Sequence, residues 1–197
     1  MIIGIAGRIG SGKDTVGEII QELCLSNHGP VFEVKKFAGK LKQIASLLTG
    51  IPVEDFEDQE FKKSYLGAEW GTVESNPLNA VPVFENIEFN HLMSVRELLQ
   101  KLGTEAIRDG LHPNAWVNAL MCEYKRPKMS EYNPSNWIIT DVRFPNELEA
   151  VEDVKGLTLK VVRPVEKSKT PARLHPSETS LDKAEFDYEI INDGSIK

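Results

Sequence analysis

Short apolar runs alternate along the chain with stretches in which hydrophobic residues recur at helical spacing. The apolar runs predict strands at residues 1–6, 31–35, 137–140, 157–162 and 188–191. Because several of these runs lack polar alternation, they are typical of strands that are buried on both faces of a parallel sheet. The pattern therefore predicts an α/β fold, with a five-stranded parallel sheet and helices on both of its faces.

Start and stop signals place the helices between these strands. Gly50 suits a C-cap, and Ser94 resembles an N-cap whose capping box is completed by Glu97. Between residues 53 and 92 the pattern weakens, which predicts a peripheral insertion with short helices. The predicted helices run over residues 13–25, 41–48, 94–102, 114–124 and 145–154.

Composition and charge narrow the class of protein. A chain of 197 residues, 41% hydrophobic and 27% charged, suits one α/β domain. The net charge of −7 argues against broad electrostatic binding of nucleic acid, and no apolar stretch approaches the length of a membrane span. Residues 1–6 lack a basic flank and indicate a buried strand rather than a signal peptide. Cys24 and Cys122 lack metal-ligand spacing, so we expect reduced, partly buried thiols in a cytoplasmic protein.

The strongest chemical signal is a glycine-rich loop at residues 7–15. It fits the phosphate-loop pattern G-x-x-x-x-G-K at Gly7, Gly12 and Lys13, after a predicted strand and before a predicted helix. Glycines let backbone N–H groups turn towards phosphate oxygens, and the helix N-terminus adds positive potential. We expect Lys13 to contact the β- and γ-phosphates of a nucleoside triphosphate.

The residue after Lys13 departs from the pattern. A Ser or Thr that reaches Mg²⁺ is usual there, whereas this chain has Asp14 followed by Thr15. A displaced threonine also occurs in loops of the adenylate-kinase type, so Thr15 is a candidate Mg²⁺ ligand. Whether Asp14 or Thr15 supplies that contact is left open.

Charged residues follow the strand predicted at 137–140. Asp141 lies where the carboxyl ends of parallel strands face a ligand crevice, so it could hold a Mg²⁺-bound water or accept a proton. A capping carboxylate is the alternative. Arg143 is a candidate phosphate ligand, and for Asn146 and Glu147 capping and functional roles are both open.

Four polar residues share one face of the helix that starts near Ser94. Arg96, Gln100 and Thr104 are spaced by four, and Arg108 extends the series. Arginine suits bidentate phosphate recognition, and glutamine can contact a base edge. An ordinary solvated polar face is the alternative interpretation.

Two segments near the end of the chain carry further candidates. A basic segment at 163–178, which includes Lys167, Lys169, Arg173 and His175, could close over phosphates and exclude water, or could be a solvated charge run. The sequence Asn192-Asp193-Gly194 follows the last predicted strand and fits an adenine-binding turn or a simple turn.

These stretches together resemble the phage-type deoxynucleoside monophosphate kinases, a branch of the P-loop nucleoside-phosphate kinases. Gly103-Thr104-Glu105 and the stretch from Asp141 to Glu147 are more diagnostic than the loop. The matching segments are Gly10-Ser11-Gly12-Lys13-Asp14-Thr15, Phe37-Ala38 with Leu41-Lys42, residues 96–108, Asp141-Val142-Arg143-Phe144-Pro145-Asn146-Glu147 and His175-Pro176-Ser177-Glu178.

The resemblance implies ATP and Mg²⁺, a deoxynucleoside monophosphate (dNMP) as acceptor and a diphosphate product. It implies a single domain over 1–197, with a helical acceptor-binding insertion at 37–130 and a lid-like loop at 164–180. The residues implied to bind ATP are Gly10, Ser11, Gly12, Lys13, Asp14 and Thr15, with Asn192 and Gly194 as candidates. Those implied to form the monophosphate pocket are Phe37, Ala38, Arg96, Gln100, Thr104 and Arg108, with Trp70 and Trp116 as base-stacking candidates. Those implied to act on the transferring phosphate are Lys13, Asp141, Arg143 and Arg173.

Competing interpretations remain at this point. Kinases of the dephospho-coenzyme A or phosphomevalonate type share the loop and the fold, and a regulatory P-loop ATPase is the alternative from another class. We expect small-molecule partners only, without nucleic acid or membrane, and cytoplasmic localisation, in a host cell if the protein is phage-encoded. A homodimer is left open.

Overall fold

The computed structural model of the protein describes residues 1–71, 91–125, 136–164 and 179–194. The chain forms two compact units, one of Met1–Lys40 with Asn114–Lys197 and one of Leu41–Pro113. The bounds of the predicted insertion, 37–130, and of the lid-like loop, 164–180, stay predictions. Most of that loop lies outside the described residues.

The first unit contains a five-stranded parallel sheet. Its strands are β1 (Ile2–Ala6), β2 (Phe32–Lys35), β3 (Asn136–Val142), β4 (Leu157–Val162) and β5 (Tyr188–Ile191), in the order β2-β3-β1-β4-β5. Every pair of neighbouring strands is parallel. The predicted fold class and all five predicted strands are confirmed.

Two hydrophobic clusters cover the opposite faces of this sheet. Successive strand residues point to opposite faces, and accordingly Ile139 belongs to one cluster and Ile138 to the other. The first cluster is completed by residues of α4 (Ala115–Lys125) and α5 (Pro145–Glu152), and the second by residues of α1 (Lys13–Ser26). Both faces are therefore covered by helices, as the sequence predicts. No described helix is long and apolar enough to span a membrane.

The two cysteines differ from each other in exposure. Cys24 packs partly buried against the second cluster, as predicted, whereas Cys122 is exposed. Leu120 and Met121 occupy the buried side of α4, which leaves Cys122 on the outer side. The prediction of a partly buried thiol is therefore wrong for Cys122.

The second unit contains short helical turns, most of helix α2 and the helix that starts at Val95, packed around its own core. The turns are Val53–Glu57, Phe61–Lys63 and Ala68–Trp70, and helix α2 (Ala38–Thr49) ends in this unit with Gly50 at a φ of 73°. Ser94 Oγ accepts a hydrogen bond from Glu97 N at 3.2 Å and so caps α3 (Val95–Gln100). The core of this unit comprises Ala45, Phe56, Leu66, Val95 and Leu98.

The helix that starts at Val95 changes its winding after one and a half turns. After α3 it continues as a π-helical segment over Lys101–Asp109. Hydrogen bonds that span five residues close its end, from Gly110 N to Glu105 O at 3.0 Å and from His112 N to Ile107 O at 2.9 Å. Stretches of π-helix are rare and often lie at functional sites. A regular α-helix was expected here, so the winding is a difference from the prediction.

The sequence of this helix explains why its winding changes from α to π. After Val95 the chain alternates pairs of polar and apolar residues, with Leu98-Leu99, Leu102-Gly103 and Ala106-Ile107 as the pairs on the less polar side. This pattern repeats every four residues, whereas an α-helix has about 3.6 residues per turn and a π-helix about 4.4. A helix that is α at first and π afterwards averages near four. Accordingly Leu98 and Gly103 are buried, whereas Gln100 and Glu105 are exposed.

Candidate active site

Three glycines shape the loop between β1 and α1. Gly10 and Gly12 have φ angles of 74° and 92°, a region that glycine enters without steric cost. A Cβ atom on Gly7 would lie 2.5 Å from Ser11 Oγ and 2.6 Å from the backbone oxygen of Val161. A side chain at Gly7 would therefore force the loop away from β4. Strand, glycine loop and helix are arranged as the phosphate-loop pattern predicts.

The lysine of the loop is buried beside it. Lys13 is 6% exposed, and its Nζ atom donates to the backbone oxygen of Arg8 at 3.4 Å. Ser11 is 2% exposed, and its Oγ atom has no hydrogen-bond partner among the described residues. A cation at the N-terminus of a helix, next to a buried hydroxyl, suits an anionic ligand. The loop can therefore hold phosphate oxygens.

Two residues that follow strands β4 and β5 hold this loop in place. Asn192 Nδ2 donates to the backbone oxygen of Ser11 at 2.9 Å, and Asn192 N donates to Val162 O at 2.8 Å. Arg163 donates to Gly10 O at 3.4 Å. The turn predicted to bind adenine thus lies directly against the phosphate loop, and Asn192 holds the loop to the end of β5.

Asp14 connects the start of α1 to the end of β3. Its Oδ1 atom accepts a 2.7 Å hydrogen bond from Thr140 Oγ1 and lies 3.3 Å from Lys36 Nζ. Partial burial acts to raise the pKa of Asp14, but the bond from Thr140 and the charges of Lys36 and Lys13 together hold that pKa below its ordinary value. The carboxylate is therefore ionised and well stabilised at neutral pH.

Lys36 and Thr140 are the residues that the sequence analysis missed. Lys36 directly follows β2, and its charge acts on both Asp14 and Asp141. Only its position at the end of an apolar strand, where ligands of parallel sheets bind, could have drawn attention to it. Thr140 is 1% exposed and looks in the sequence like any core threonine of a strand.

Asp141 binds the start of helix α2. Its two oxygens accept hydrogen bonds from Phe37 N at 2.8 Å and from Ala38 N at 2.9 Å. The side chain is 8% exposed. Burial raises the pKa of Asp141, although the two backbone bonds and the nearby charges of Arg143 and Lys36 oppose that effect. The capping interpretation that the sequence left open is therefore realised, at a helix distant in sequence.

The residues after Asp141 are held by a second carboxylate. Glu147 is 3% exposed, and its Oε2 atom accepts from Arg143 N at 2.8 Å and from Phe144 N at 3.1 Å. Asn146 donates to Asn114 Oδ1 at 2.8 Å. Both residues thus have structural contacts, and those of Glu147 fix the backbone that presents Arg143.

Among the described residues, no group of three or more His, Cys, Asp and Glu side chains is placed to hold a metal ion. Mg²⁺ is usually bound by one or two carboxylates together with substrate phosphates, so such a group is not required. Asp14, Thr15 and Asp141 are the oxygen donors near the loop that suit this ion.

The predicted acceptor residues divide between the two units. Arg96, Gln100, Thr104 and Arg108 all lie in the second unit, on α3 and on the π-helical segment. Phe37 lies in the first unit, where its side chain is part of the core. Of the two candidate stacking rings, Trp116 is 6% exposed and Trp70 packs on the core of the second unit.

Part of the basic segment falls outside the described residues. Lys167, Lys169, Arg173 and His175 belong to this part, so their predicted roles stay predictions. Gly194 is described, and a Cβ atom there would meet nothing within 4 Å.

Comparison with known proteins identifies the family of this chain. The sequence profile described as "Deoxynucleotide monophosphate kinase" matches residues 53–197. A protein of Escherichia phage T5 named "Deoxynucleoside-5'-monophosphate kinase" is 26% identical, over 98% of this chain and 89% of the relative. The "Deoxynucleotide monophosphate kinase" of Enterobacteria phage T4 is 33% identical, over 58% of this chain and 45% of the relative. With a profile match across most of its length, this chain belongs to the deoxynucleotide monophosphate kinase family.

Proposed function

We propose that this enzyme transfers the γ-phosphoryl group of ATP to a dNMP, giving ADP and the deoxynucleoside diphosphate. One observation of the structure carries the donor half of the proposal. Lys13 is buried against a loop whose glycine positions exclude side chains, beside the ionised Asp14. Family membership supports the acceptor half.

The chain's own residues position the donor. Gly10, Ser11 and Gly12 bind the phosphates of ATP, with the buried Oγ atom of Ser11 as one donor, and Lys13 follows the charge that develops on the transferring group. Asn192 keeps the loop in place through its bond to Ser11 O, and Asn192 and Gly194 lie beside the adenine. Preorganised cations of this kind lower the barrier because they need no rearrangement as charge moves.

Magnesium suits the oxygen donors next to the loop. When bound, Mg²⁺ neutralises phosphate charge and orients the β- and γ-phosphates. Thr15 and Asp141 are the proposed protein contacts, directly or through water, and Asp14 is the alternative to Thr15. Lys36 holds Asp14 in place through their ion pair.

The acceptor contacts are those that the family resemblance implies. Arg96, Gln100, Thr104 and Arg108 bind the dNMP, with guanidinium groups suited to its phosphate and the amide suited to its base. Phe37 and Ala38, at the start of α2, are further proposed contacts, and Trp70 and Trp116 are the proposed rings for stacking on the base. Arg143 and Arg173 stabilise the transferring phosphoryl group, and the segment that carries Arg173 excludes water. The reaction takes place in the cytoplasm, that of a host cell if the protein is phage-encoded.

A coupled ADP-release assay tests this function. The assay contains ATP, Mg²⁺ and one acceptor at a time. The acceptors are dGMP, dTMP, dCMP, dAMP, their ribose counterparts, dephospho-coenzyme A and phosphomevalonate. Release that depends on one or more dNMPs supports the proposal and defines the base range. Release without any acceptor would favour a regulatory ATPase, and release only with dephospho-coenzyme A or phosphomevalonate would favour those kinases.

A pair of matched variants links the activity to the loop. Lys13→Met should reduce dNMP-dependent turnover by a factor of about 100 or more, because a cation that acts in the transition state is lost. Lys183→Met removes an exposed lysine of the same unit and should leave turnover within about twofold. Equal activity of the two variants would contradict the proposed role of Lys13.

A further inference from the structure

The four polar residues of the second unit differ from an ordinary helix face in how they line up. Arg96 and Gln100 lie on α3, whereas Thr104 and Arg108 lie on the π-helical segment. Each follows the previous one by four residues. The change of winding between Gln100 and Lys101 therefore falls in the middle of the series.

Helix geometry shows what this change does. In an α-helix four residues turn about 40° beyond a full circle, so an all-α helix would spread the four side chains over about 120°. In a π-helix four residues fall about 33° short of a full circle. The rotation that builds up from Arg96 to Gln100 is thus reversed towards Thr104 and Arg108. All four residues then lie within about 65° and form one row along the helix.

The buried residues of the helix lie outside the row of four polar residues. Gly103 is the buried residue of the π-helical segment, and a Cβ atom there would lie 2.9 Å from Leu41 Cδ2. Glycine thus permits α2 to approach closely at the centre of the wide segment. Val95 and Leu98, about one turn apart on the preceding α-helical part, are also buried.

We propose that the switch from α- to π-winding at Lys101 is a positioning device that aligns Arg96, Gln100, Thr104 and Arg108 into a single binding row for one dNMP molecule. The row presents a guanidinium group at each end with an amide and a hydroxyl between them, a donor and acceptor set that fits a phosphate at one end and a base edge further along. This proposal rests on the proposed function and adds that the winding, rather than the spacing alone, creates the acceptor site. Gly103 acts as a positioning residue through its contact with Leu41.

The test compares two basic residues of the same segment. In an unbroken α-helix Arg108 and Lys101 would lie at similar angles from Arg96, about 120° and 140° away. With ideal π-winding after Gln100, Arg108 joins the row, at about 26° from Arg96, while Lys101 stays about 120° away. Substitutions at the two positions therefore report the winding directly.

The measurement is the dNMP dissociation constant by isothermal titration calorimetry, without ATP, for the whole protein and the dNMP that gives the fastest ADP release. Arg108→Met and Arg96→Met should each weaken binding about tenfold or more, since each removes charge-assisted hydrogen bonds. Arg108→Lys should recover part of the loss, because it restores the charge without the bidentate geometry. Lys101→Met should stay within about twofold of the unmodified protein. The ATP dissociation constant and the melting temperature of all four variants should be unchanged.

The outcomes separate this inference from the proposed function. If Lys101→Met and Arg108→Met weaken dNMP binding equally, or if neither weakens it while dNMP-dependent turnover persists, the aligned row is wrong and the kinase function stands. If the unmodified protein binds no dNMP at all, the proposed function fails first. A loss of ATP affinity in Arg108→Met alone would also overturn the row, because Arg108 would then serve the donor.

Discussion

The hydroxyl of Thr140 donates a 2.7 Å hydrogen bond to the carboxylate of Asp14, and this bond connects the C-terminal part of strand β3 to the residue that follows the loop lysine. Thr140 is 1% exposed, so the donor of this bond is shielded from water, whereas the Asp14 side chain is 57% exposed. Asp14 stands where phosphate loops usually carry Ser or Thr. In this chain the carboxylate at that position accepts a hydroxyl hydrogen bond from strand β3.

Thr140→Val tests that bond with little change of shape. The substitution removes the donor and keeps the volume of the side chain, so we expect the free energy of unfolding to fall by about 1 kcal/mol. Lys36 remains close to Asp14 and limits the loss. Urea unfolding measures the change, and Thr158→Val, at a threonine that is 2% exposed and bonded to Asp187, gives a matched comparison. Only Thr140→Val should also lower the affinity for ATP.

The lowered pKa of Asp14 predicts a dependence of stability on pH. In the unfolded chain this carboxyl binds a proton at a higher pH than in the folded protein, so its contribution is complete above the ordinary value of 3.8 and is lost as pH falls below it. We therefore expect the difference in unfolding free energy between the unmodified protein and Asp14→Asn to shrink as pH falls from 5 to about 2.5. Urea unfolding at several pH values measures it. A difference that does not change with pH would show that Asp14 is not stabilised as an anion.

The raised pKa of Asp141 predicts the opposite dependence of stability on pH. Its pKa is raised by burial, so its ionisation costs stability as pH rises through the raised value. Asp141→Asn should be destabilised at every pH, by about 1–3 kcal/mol at low pH, because the amide cannot accept from both Phe37 N and Ala38 N. The deficit relative to the unmodified protein should become smaller as pH rises from 4 to 7. A deficit that grows over this range would contradict the raised pKa.

Gly7 and Gly10 are constrained in different ways, and alanine distinguishes them. Gly7→Ala places a Cβ atom 2.6 Å from the backbone oxygen of Val161, so the loop must move, whereas Gly10 has open space around it and a φ of 74°. We expect Gly7→Ala to weaken ATP binding tenfold or more and to cost about 1–3 kcal/mol of stability. Gly10→Ala should cost about 1–2 kcal/mol from its left-handed conformation. Titration calorimetry and urea unfolding of both variants check this. Equal ATP affinities would show that the close approach at Gly7 does not shape the binding site.

The strands and the phosphate loop were predictable because each depends on nearby residues. The apolar run before Gly7 and the helical spacing after Lys13 specify strand, loop and helix without reference to the rest of the chain. The bond between Asp14 and Thr140 joins residues 126 positions apart, and the cap that Asp141 supplies to α2 spans 103 positions. Such pairings depend on strand order, which single-sequence patterns do not determine. Asp141 could be placed at the sheet edge, but its partners could not.

The π-helical winding after Gln100 was not predicted for a different reason. Its pattern is fully present in the sequence, but four-residue spacing also matches the i, i+4 face of an α-helix over two turns. A period of four fits neither a pure α-helix nor a pure π-helix over three turns, so the misfit itself was the signal.

The paired alternation of polar and apolar residues also restricts how this helix can change in length. An inserted or deleted block of four residues would keep every later pair in phase. A block of seven preserves phase in a coiled coil, but here an inserted block of seven would move Arg108 into the phase of the apolar pairs, and a deleted block of seven would move Ile107 into the phase of the polar pairs. Among related kinases, length differences in this segment should therefore come in multiples of four. Designers who graft the segment onto another scaffold would need to count in the same unit.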